Sequence, residues 1–544
     1  MTLGLHITGQ QGRNCLNEMN ASEHADVAIV GGGAAGLLAA IWAGRTEPKR
    51  RIVILDGAKR LGAKILIAGG GRCNVTNEKV TPKDFWGSSP NAIKKVLGRL
   101  TQPQTIEFFA ELGVKLKREP TGKLFPTTDK AKTVLEALLG EVERLGIEIC
   151  LGHRVENIKA VTNDSGETTF EVVGPWGHLV SPRLVLATGG KSVPKTGSDG
   201  HGLELAKRLG HEITSTIYPA LVPLQLTDGA PLTRLSGIAL PARLQLSETS
   251  GKRIETISGD LLLTHKGLSG PAVLDMSRHW IAASADRAVR LTANWLPETD
   301  EETVQADLLD LGKRSVRAYL RERLPDRLAE LLLEIAEVPL DQTGVDLTKH
   351  QRKNLVTAVC SFPLDVQGTL GFKVAEVTAG GVPLSQIDLK TMQSRLVPGL
   401  HFCGEICDVD GRIGGFNFQW AWSSGYVAGP PLMRNLLSVL FCLALLGSLS
   451  IGCSSSDSPA VDNAAGQAPT QDQMATEAML VNAGARVEKD GNGAVVLVDF
   501  SGKPIDDNLM KRIGTLPQLQ KLLLRGCAIN NAMLERLGSP KELQ

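Results

Sequence analysis

The feature that most constrains the fold of this 544-residue chain is a stretch of about thirty residues near its start. Val27-Ala28-Ile29-Val30 is a short apolar run of buried-strand type, and it feeds directly into Gly31-Gly32-Gly33-Ala34-Ala35-Gly36. Leu37 to Ala43 read as a helix, and Arg51 to Leu55 as a second strand that ends on Asp56. Strand, G-x-G-x-x-G, helix, strand and acid is the order of a dinucleotide-binding unit, and Asp56 stands 20 residues after Gly36. Gly31 permits the tight turn, Gly33 lets a diphosphate approach the backbone, and Gly36 lets the helix pack close. The helix start at Ala34 and Ala35 offers free N–H groups and a partial positive charge to that diphosphate. Asp56 is placed to accept hydrogen bonds from an adenosine ribose.

Composition agrees with a soluble globular enzyme of several domains. Hydrophobic residues make up 42% and charged residues 22%, which excludes wholesale disorder, collagen-like repeats and a polytopic membrane protein. Lys and Arg total 59 against 58 Asp and Glu, so no global field recruits nucleic acid or an anionic membrane. The 58 glycines exceed the average of about 7% and point to many tight backbone approaches. Nine scattered cysteines read as reduced thiols of a cytoplasmic protein, and no His/Cys cluster has zinc spacing, so no metal site is expected. Cys73 lacks a partner at C-x₂-C or C-x₄-C spacing, which argues against dithiol chemistry.

Two further glycine-rich segments bear on the cofactor. Leu184-Val185-Leu186-Ala187-Thr188-Gly189-Gly190 is an apolar strand ending in Ala-Thr-Gly. Such a strand returns the chain under the FAD in two-dinucleotide flavoproteins, although alone it reads equally as an ordinary buried strand and turn. Phe402-Cys403-Gly404-Glu405 through Gly414-Gly415 is the other. No second G-x-G-x-x-G occurs in the chain. The economical expectation is one tightly bound FAD, no dedicated NAD(P) domain, and NAD(P)H as a transient electron donor.

Four motifs resemble the BaiN/YhiN-like bacterial flavoproteins. They are Gly62 to Asn77, Thr264-His265-Lys266-Gly267-Leu268-Ser269-Gly270-Pro271, Gly404 to Gly411, and Gly414-Gly415-Phe416-Asn417-Phe418-Gln419-Trp420-Ala421-Trp422-Ser423-Ser424-Gly425. The resemblance runs in order over residues 24–429. Arg412-Ile413 and Phe416 depart from it, smaller residues and Tyr being usual there. It implies an FAD-dependent oxidoreductase of α/β class, with a Rossmann-like FAD domain interrupted by an inserted β-rich and helical domain. Related proteins are linked to reduction of unsaturated oxo-steroid acids and to oxidation of aminoketones, so the direction of reaction stays open.

The expected parts are residues 24–204 and 366–432 for the FAD domain and 205–365 for a barrel-like insert with a helical piece at 301–337. Gly69, Gly70, Gly71, Arg72 and Asn74 are expected to follow the diphosphate or ribityl chain, with Thr188 and Gly189 beneath the cofactor. Gly404 and either Glu405 or Asp408 are expected at the ribityl hydroxyls. A helix after Gly415, carrying Phe416, Asn417 and Gln419, would turn its N–H groups to the flavin N1/C2 edge. His265 is the candidate proton donor or acceptor; a structural histidine bracing its turn is the alternative. Residues 91–132 carry nine basic groups against four acidic ones. This excess suits NADPH phosphate or RNA, but a solvated charged face is favoured, and the expected partner is a small-molecule substrate, not a nucleic acid.

The tail has a different character. Met433-Arg434, the 17 uncharged residues Leu436 to Gly452, and Cys453 have the layout of a lipoprotein signal or a short membrane anchor. After a polar linker at 454–485, residues 486–544 carry a 24-residue repeat in which Val498, Phe500, Ile505, Leu509, Ile513 and Leu519 are matched by Leu522, Leu524, Ile529, Met533, Leu537 and Leu543. Two leucine-rich-type repeats are too few to bury a core independently. Residues 433–544 are accordingly expected to derive from a separate gene, fused naturally or by a sequencing error. A membrane-anchored binding protein and a flavin-dependent RNA-modifying enzyme are the alternative functions.

Overall fold

The computed structural model describes residues 23–164 and 166–429, together with parts of 476–524. Residues 1–22, the signal-like segment 433–453 and most of the linker lie outside the described residues. The centre of the larger unit is a parallel sheet. Its strands are β1 (Val27–Val30), β2 (Ile52–Asp56), β3 (Glu148–Leu151), β4 (Leu184–Leu186) and β5 (Leu400–Phe402), in the order β3-β2-β1-β4-β5. Two short antiparallel strands, Gln393–Ser394 and Ile387–Asp388, extend the β5 edge. The first four residues of β2 and all of β1, β4 and β5 are buried, which is why these strands read as continuous apolar runs.

Helix α1 (Ala34–Thr46) follows β1 and packs against α2 (Phe416–Ala428), the last described helix of this unit. Their crossing requires small residues. A Cβ on Gly425 would stand 2.5 Å from the Ala35 carbonyl oxygen, and one on Gly429 would stand 2.7 Å from the Trp42 Cβ. Between β3 and β4 the chain forms an antiparallel meander, Asn157–Thr162, Thr168–Gly174 and Gly177–Ser181.

The insert has its own apolar core, around Leu244, Leu263, Val273, Trp295 and Leu332. Its antiparallel sheet runs in the order Phe362–Pro363, Val289–Asn294, Ala239–Glu248, Arg253–Thr264, Gly267–Ser269, Leu224–Leu226, Val366–Thr369. The two edge strands are separated in sequence by Leu364 and Asp365 alone, so the sheet curls round on itself. Four helices between Glu301 and Cys360 complete it. The insert starts later than expected, because the helix His201–Arg208 buries Leu203, Leu205 and Ala206 in the core of the parallel sheet. The chain enters and leaves through the paired strands Tyr218–Ala220 and Val377–Ala379.

One helix of the insert, Pro271–Asp286, grips the segment leading into α2. Arg278 donates to both oxygens of buried Asp410, at 2.7 and 3.0 Å, and its guanidinium lies over the Trp86 ring. One turn earlier on the same face, Asp275 accepts from the Ile413 backbone N–H at 2.7 Å and from Arg412 Nε at 3.4 Å. Removing one partner of a buried ion pair leaves an uncompensated charge. Arg278→Ala is therefore expected to cost about 3–5 kcal/mol in denaturant unfolding, and Arg278→Met combined with Asp410→Leu distinctly less.

The C-terminal unit is small. Strand Val495–Asp499 pairs antiparallel with Arg486–Lys489 and parallel with Lys521–Leu523, with helix Asp507–Ile513 between the parallel strands. Val498 lies opposite Leu522, the same 24-residue step that the sequence repeats. Val498, Phe500, Ile513 and Leu519 are buried in its core.

Candidate cofactor site

The ends of β1, β2 and β4, the start of α1, the Gly62–Asn74 stretch, the Gly404 turn and the start of α2 surround one cavity of about 930 Å³. It lies beyond the carboxyl ends of the parallel strands, where β1 and β4 diverge, the position at which open α/β sheets bind their ligands. The glycine turn is shaped as its spacing predicts. Gly31 has φ of 104°, and a Cβ there would stand 2.5 Å from the Ala187 carbonyl oxygen. A Cβ on Gly36 would stand 1.9 Å from the Gly31 carbonyl oxygen, whereas one on Gly33 would meet nothing within 4 Å. Gly31 and Gly36 are thus required by the protein's own backbone, and Gly33 leaves space open to the cavity.

Both helix starts at the cavity are bare. Helix α1 begins after Gly33 and α2 after Gly415, and neither has a side-chain cap or an acidic residue in its first turn. Their first N–H groups are left for a ligand, with the positive end of each helix behind them. Asp56 borders the cavity, with Oδ2 accepting from Gly32 N at 2.7 Å and Oδ1 from Ala58 N at 2.8 Å. A carboxylate has about four acceptor sites, so it retains capacity for a ribose.

Asn74 and Thr188 line the cavity, and each has a buried side-chain oxygen with no hydrogen-bond partner among the described residues. Such an atom costs about 1–3 kcal/mol unless something outside the chain satisfies it. Two orphaned oxygens, two uncapped helix starts and the open position at Gly33 fit a dinucleotide of the FAD type. The adenosine and diphosphate would lie along Asp56 and α1, and the ring system toward Gly414 and α2.

Of the other residues singled out in the sequence, Gly69, Gly70, Arg72, Gly189, Gly404, Glu405, Gly415 and Asn417 line the cavity. Arg72 is ion-paired to Glu119 at 2.6 Å and stacks on Phe125. Glu405 is held by Lys64 at 2.6 Å, by Ser192 Oγ at 2.8 Å and by the Thr378 N–H at 3.0 Å, so it is already well supplied with donors. Asn417 closes a two-way hydrogen bond with the Gly411 backbone.

Five residues expected at the cofactor do not border the cavity. Gly36 and Gly71 act through backbone geometry. Phe416 packs edge-on against Phe85. Gln419 is buried on the core-facing side of α2, accepting from Thr76 and donating to Leu100 O, Thr105 and Ser423. Asp408 is also buried behind the site, where burial and the neighbouring Asp410 push its carboxyl up to about 6. Its nearest role is structural, with its backbone carbonyl accepting from Ser88 N at 2.8 Å.

His265 is placed elsewhere. It is exposed on the turn between Arg253–Thr264 and Gly267–Ser269 and borders a separate small recess. The motif around it reflects strand packing: a Cβ on Gly267 would stand 2.3 Å from the Leu224 carbonyl oxygen, and one on Gly270 2.8 Å from that of Asp260. Among the described residues Cys73, Cys360, Cys403 and Cys407 are buried free thiols, and burial pushes the Cys73 thiol up to about 12. Sequence reasoning gave no role to Lys64, although it lies inside the Gly62–Asn77 motif, read Lys123 only as part of the basic 91–132 stretch, and missed Asp275 and Glu376.

A sheet, a glycine turn and a cavity of this kind define a dinucleotide-cofactor enzyme of Rossmann-like α/β fold. The chain belongs to the HI0933-like family, whose Rossmann-domain model matches residues 25–431. It is similar to two proteins named ribosomal RNA dihydrouridine synthase. One, from Haemophilus influenzae, is 34% identical over 76% of this chain and 100% of that one. The other, from Escherichia coli, is 34% identical over 76% of this chain and 98% of that one. A 3-dehydro-bile acid delta(4,6)-reductase from Clostridium scindens is 33% identical over 74% of this chain and 98% of that one. This chain is a flavin-dependent oxidoreductase.

Asn74→Leu separates the two consequences of an orphaned oxygen. The variant apoprotein is expected to be at least as stable as the parent in thermal melts, while FAD affinity falls by about 1–3 kcal/mol in fluorescence titration.

Proposed function

We propose that the enzyme holds one tightly bound FAD and reduces a carbon–carbon double bond conjugated to a carbonyl in a small organic substrate, with NAD(P)H as transient donor. The observation that carries this reading is the make-up of the cavity end beside Gly414. Leu221, Val374, Ile413 and Phe418 give it apolar walls, and Lys123 and Glu376 stand among them with no ion pair among the described residues. Such an end suits a flat, largely apolar molecule with one polar function. The FAD supplies two-electron hydride transfer through N5. The chain's own part is to hold the diphosphate on α1, keep the ribose on Asp56, and set the start of α2 against the flavin edge. Both names among the relatives agree with the chemistry: one specifies a bile-acid double bond, and dihydrouridine differs from uridine by two hydrogens across such a bond.

A second reading takes the uracil base of an RNA as the unsaturated carbonyl. It is favoured by Arg60, Lys123, Lys195 and Lys373, which line the cavity without an ion pair among the described residues. Within the basic 91–132 stretch, by contrast, Lys117, Arg118 and Lys132 are ion-paired at the surface. For the tail, the 24-residue register supports a piece of leucine-rich-type repeat, and membrane contact would come through 433–453.

The test uses the full chain, reduced with NADPH or NADH under anaerobic conditions. A steroid enone acid is expected to reoxidise the flavin and gain two hydrogens by mass spectrometry. Ribosomal RNA converted to dihydrouridine instead, with steep salt dependence, would favour the second reading. Bound flavin that neither substrate reoxidises would contradict both.

A further inference from the structure

Reduction of a conjugated double bond needs a proton donor as well as a hydride, and the site must hold that donor near the reacting carbon. Most ionisable side chains of the cavity are already engaged. Lys64 is paired with Glu405, Arg72 with Glu119, Arg154 with Asp199, and Arg412 with Asp275. His153 donates from Nδ1 to Leu151 O at 2.8 Å and from its backbone N–H to Asp56 O at 2.9 Å, at the adenosine end. His201 neighbours the Arg154–Asp199 pair at that same end.

At the opposite end the carboxyl of Glu376 has no hydrogen bond or ion pair among the described residues, and it opens into the cavity. Its backbone is fixed on both sides, with its N–H donating to Leu221 O at 3.1 Å and its carbonyl accepting from Ser192 Oγ at 3.3 Å. Three charged groups from other elements face it. Lys123, from the strand Lys123–Pro126, and Asp275, from the insert's gripping helix, act on its charge directly, and Arg412, from the loop before α2, lines the same cavity while paired with Asp275. Lys373 shares its own segment. Lys123 is also unpaired, and its Cε lies 3.7 Å from where a Cβ on Gly414 would stand, one residue before the bare start of α2. The Glu376 side chain is exposed on the open wall of the cavity, and the protein packed around that wall raises its carboxyl above its ordinary 4.5; Lys123 opposes this and Asp275 reinforces it.

We infer that Glu376 is the proton donor of the proposed reduction and that Lys123 is the cation that receives the substrate carbonyl. The inference rests on the reading above. The hydride, supplied by reduced nicotinamide by way of the flavin, forms a C–H bond at the β-carbon, and the double-bond electrons move onto the carbonyl oxygen beside Lys123. The Glu376 O–H bond then breaks, and its proton forms the second C–H bond at the α-carbon as the carbonyl is restored. Water reprotonates the carboxylate before the next turnover. The donor belongs to the hinge segment by which the insert rejoins the flavin domain, so the substrate is met where the two cores face each other.

Glu376→Gln in the full chain is the test. The variant is expected to retain stoichiometric FAD and to be reduced by NAD(P)H at the parent rate. Its reoxidation by the enone is expected to slow about 10²–10⁴-fold, the usual contribution of a positioned acid. In the parent this rate falls as pH rises through the raised carboxyl pKa, and in Glu376→Gln that step is lost. A second readout needs no turnover. A carboxyl whose folded pKa is raised binds protons more tightly in the folded state, so it lowers stability as pH rises from its unfolded value near 4.3. Glu376→Gln should therefore match the parent's melting temperature at pH 4 and equal or exceed it at pH 8. Parent-like reoxidation with an unchanged pH profile would overturn the Glu376 assignment alone. A parent enzyme whose reduced flavin no enone reoxidises would overturn the underlying reading and this assignment with it.

Discussion

The structure depends on a close approach of backbones without side chains between them. The turn at Gly31 runs directly under Ala187, Gly36 closes on the Gly31 carbonyl, and α2 crosses α1 at Gly425 over Ala35. A single methyl group at Gly31, Gly36 or Gly425 would fall within 2.5 Å of a carbonyl oxygen. Because these contacts are backbone to backbone, no flexible side chain can give way. The same economy leaves the first N–H groups of two helices pointing into one cavity, where the diphosphate and flavin edge of an FAD would supply what the chain withholds.

A second set of interactions ties the insert to that arrangement. Arg278 and Asp275, one turn apart on a single helix, hold the 410–413 segment from the insert's side. From the flavin side, Trp420 Nε1 donates to Gly404 O at 3.0 Å, and Gly404 N donates to Ser424 Oγ at 2.9 Å. The loop between Gly404 and Gly415 is thus fixed from both cores. Desolvating Arg278 and Asp410 is costly, and what it secures is the placement of a loop, not a gain in net stability.

The glycine turn and the acid beside it were legible in the sequence, because their constraints are local. A glycine that must approach a backbone five residues away is visible as spacing, and so is the acid that closes the second strand. Asn74 and Thr188 were also legible through their motifs. The α2 motif was legible as a motif but not as a surface: Asn417, Phe418 and Ala421 face the cavity, whereas Gln419, Trp422 and Ser423 face the core. His265 looked chemical because a histidine stood in a conspicuous turn, and the turn proved to be conspicuous for its glycines. Lys64 and Glu405 meet across 341 residues, and Asp275 meets Ile413 across 138. Pairings over such distances leave no local trace, so this part of the cavity wall appears only once the chain is folded.

The most direct measurement is the visible absorption spectrum of the purified full chain, with the cofactor identified after heat release, alongside a Gly36→Ala variant. One FAD per chain in the parent and none in a folded Gly36→Ala protein is the expected result, because the added methyl group cannot coexist with the Gly31 turn. A parent protein that is folded and colourless, and that takes up no FAD when it is supplied, would contradict the assignment of the cavity.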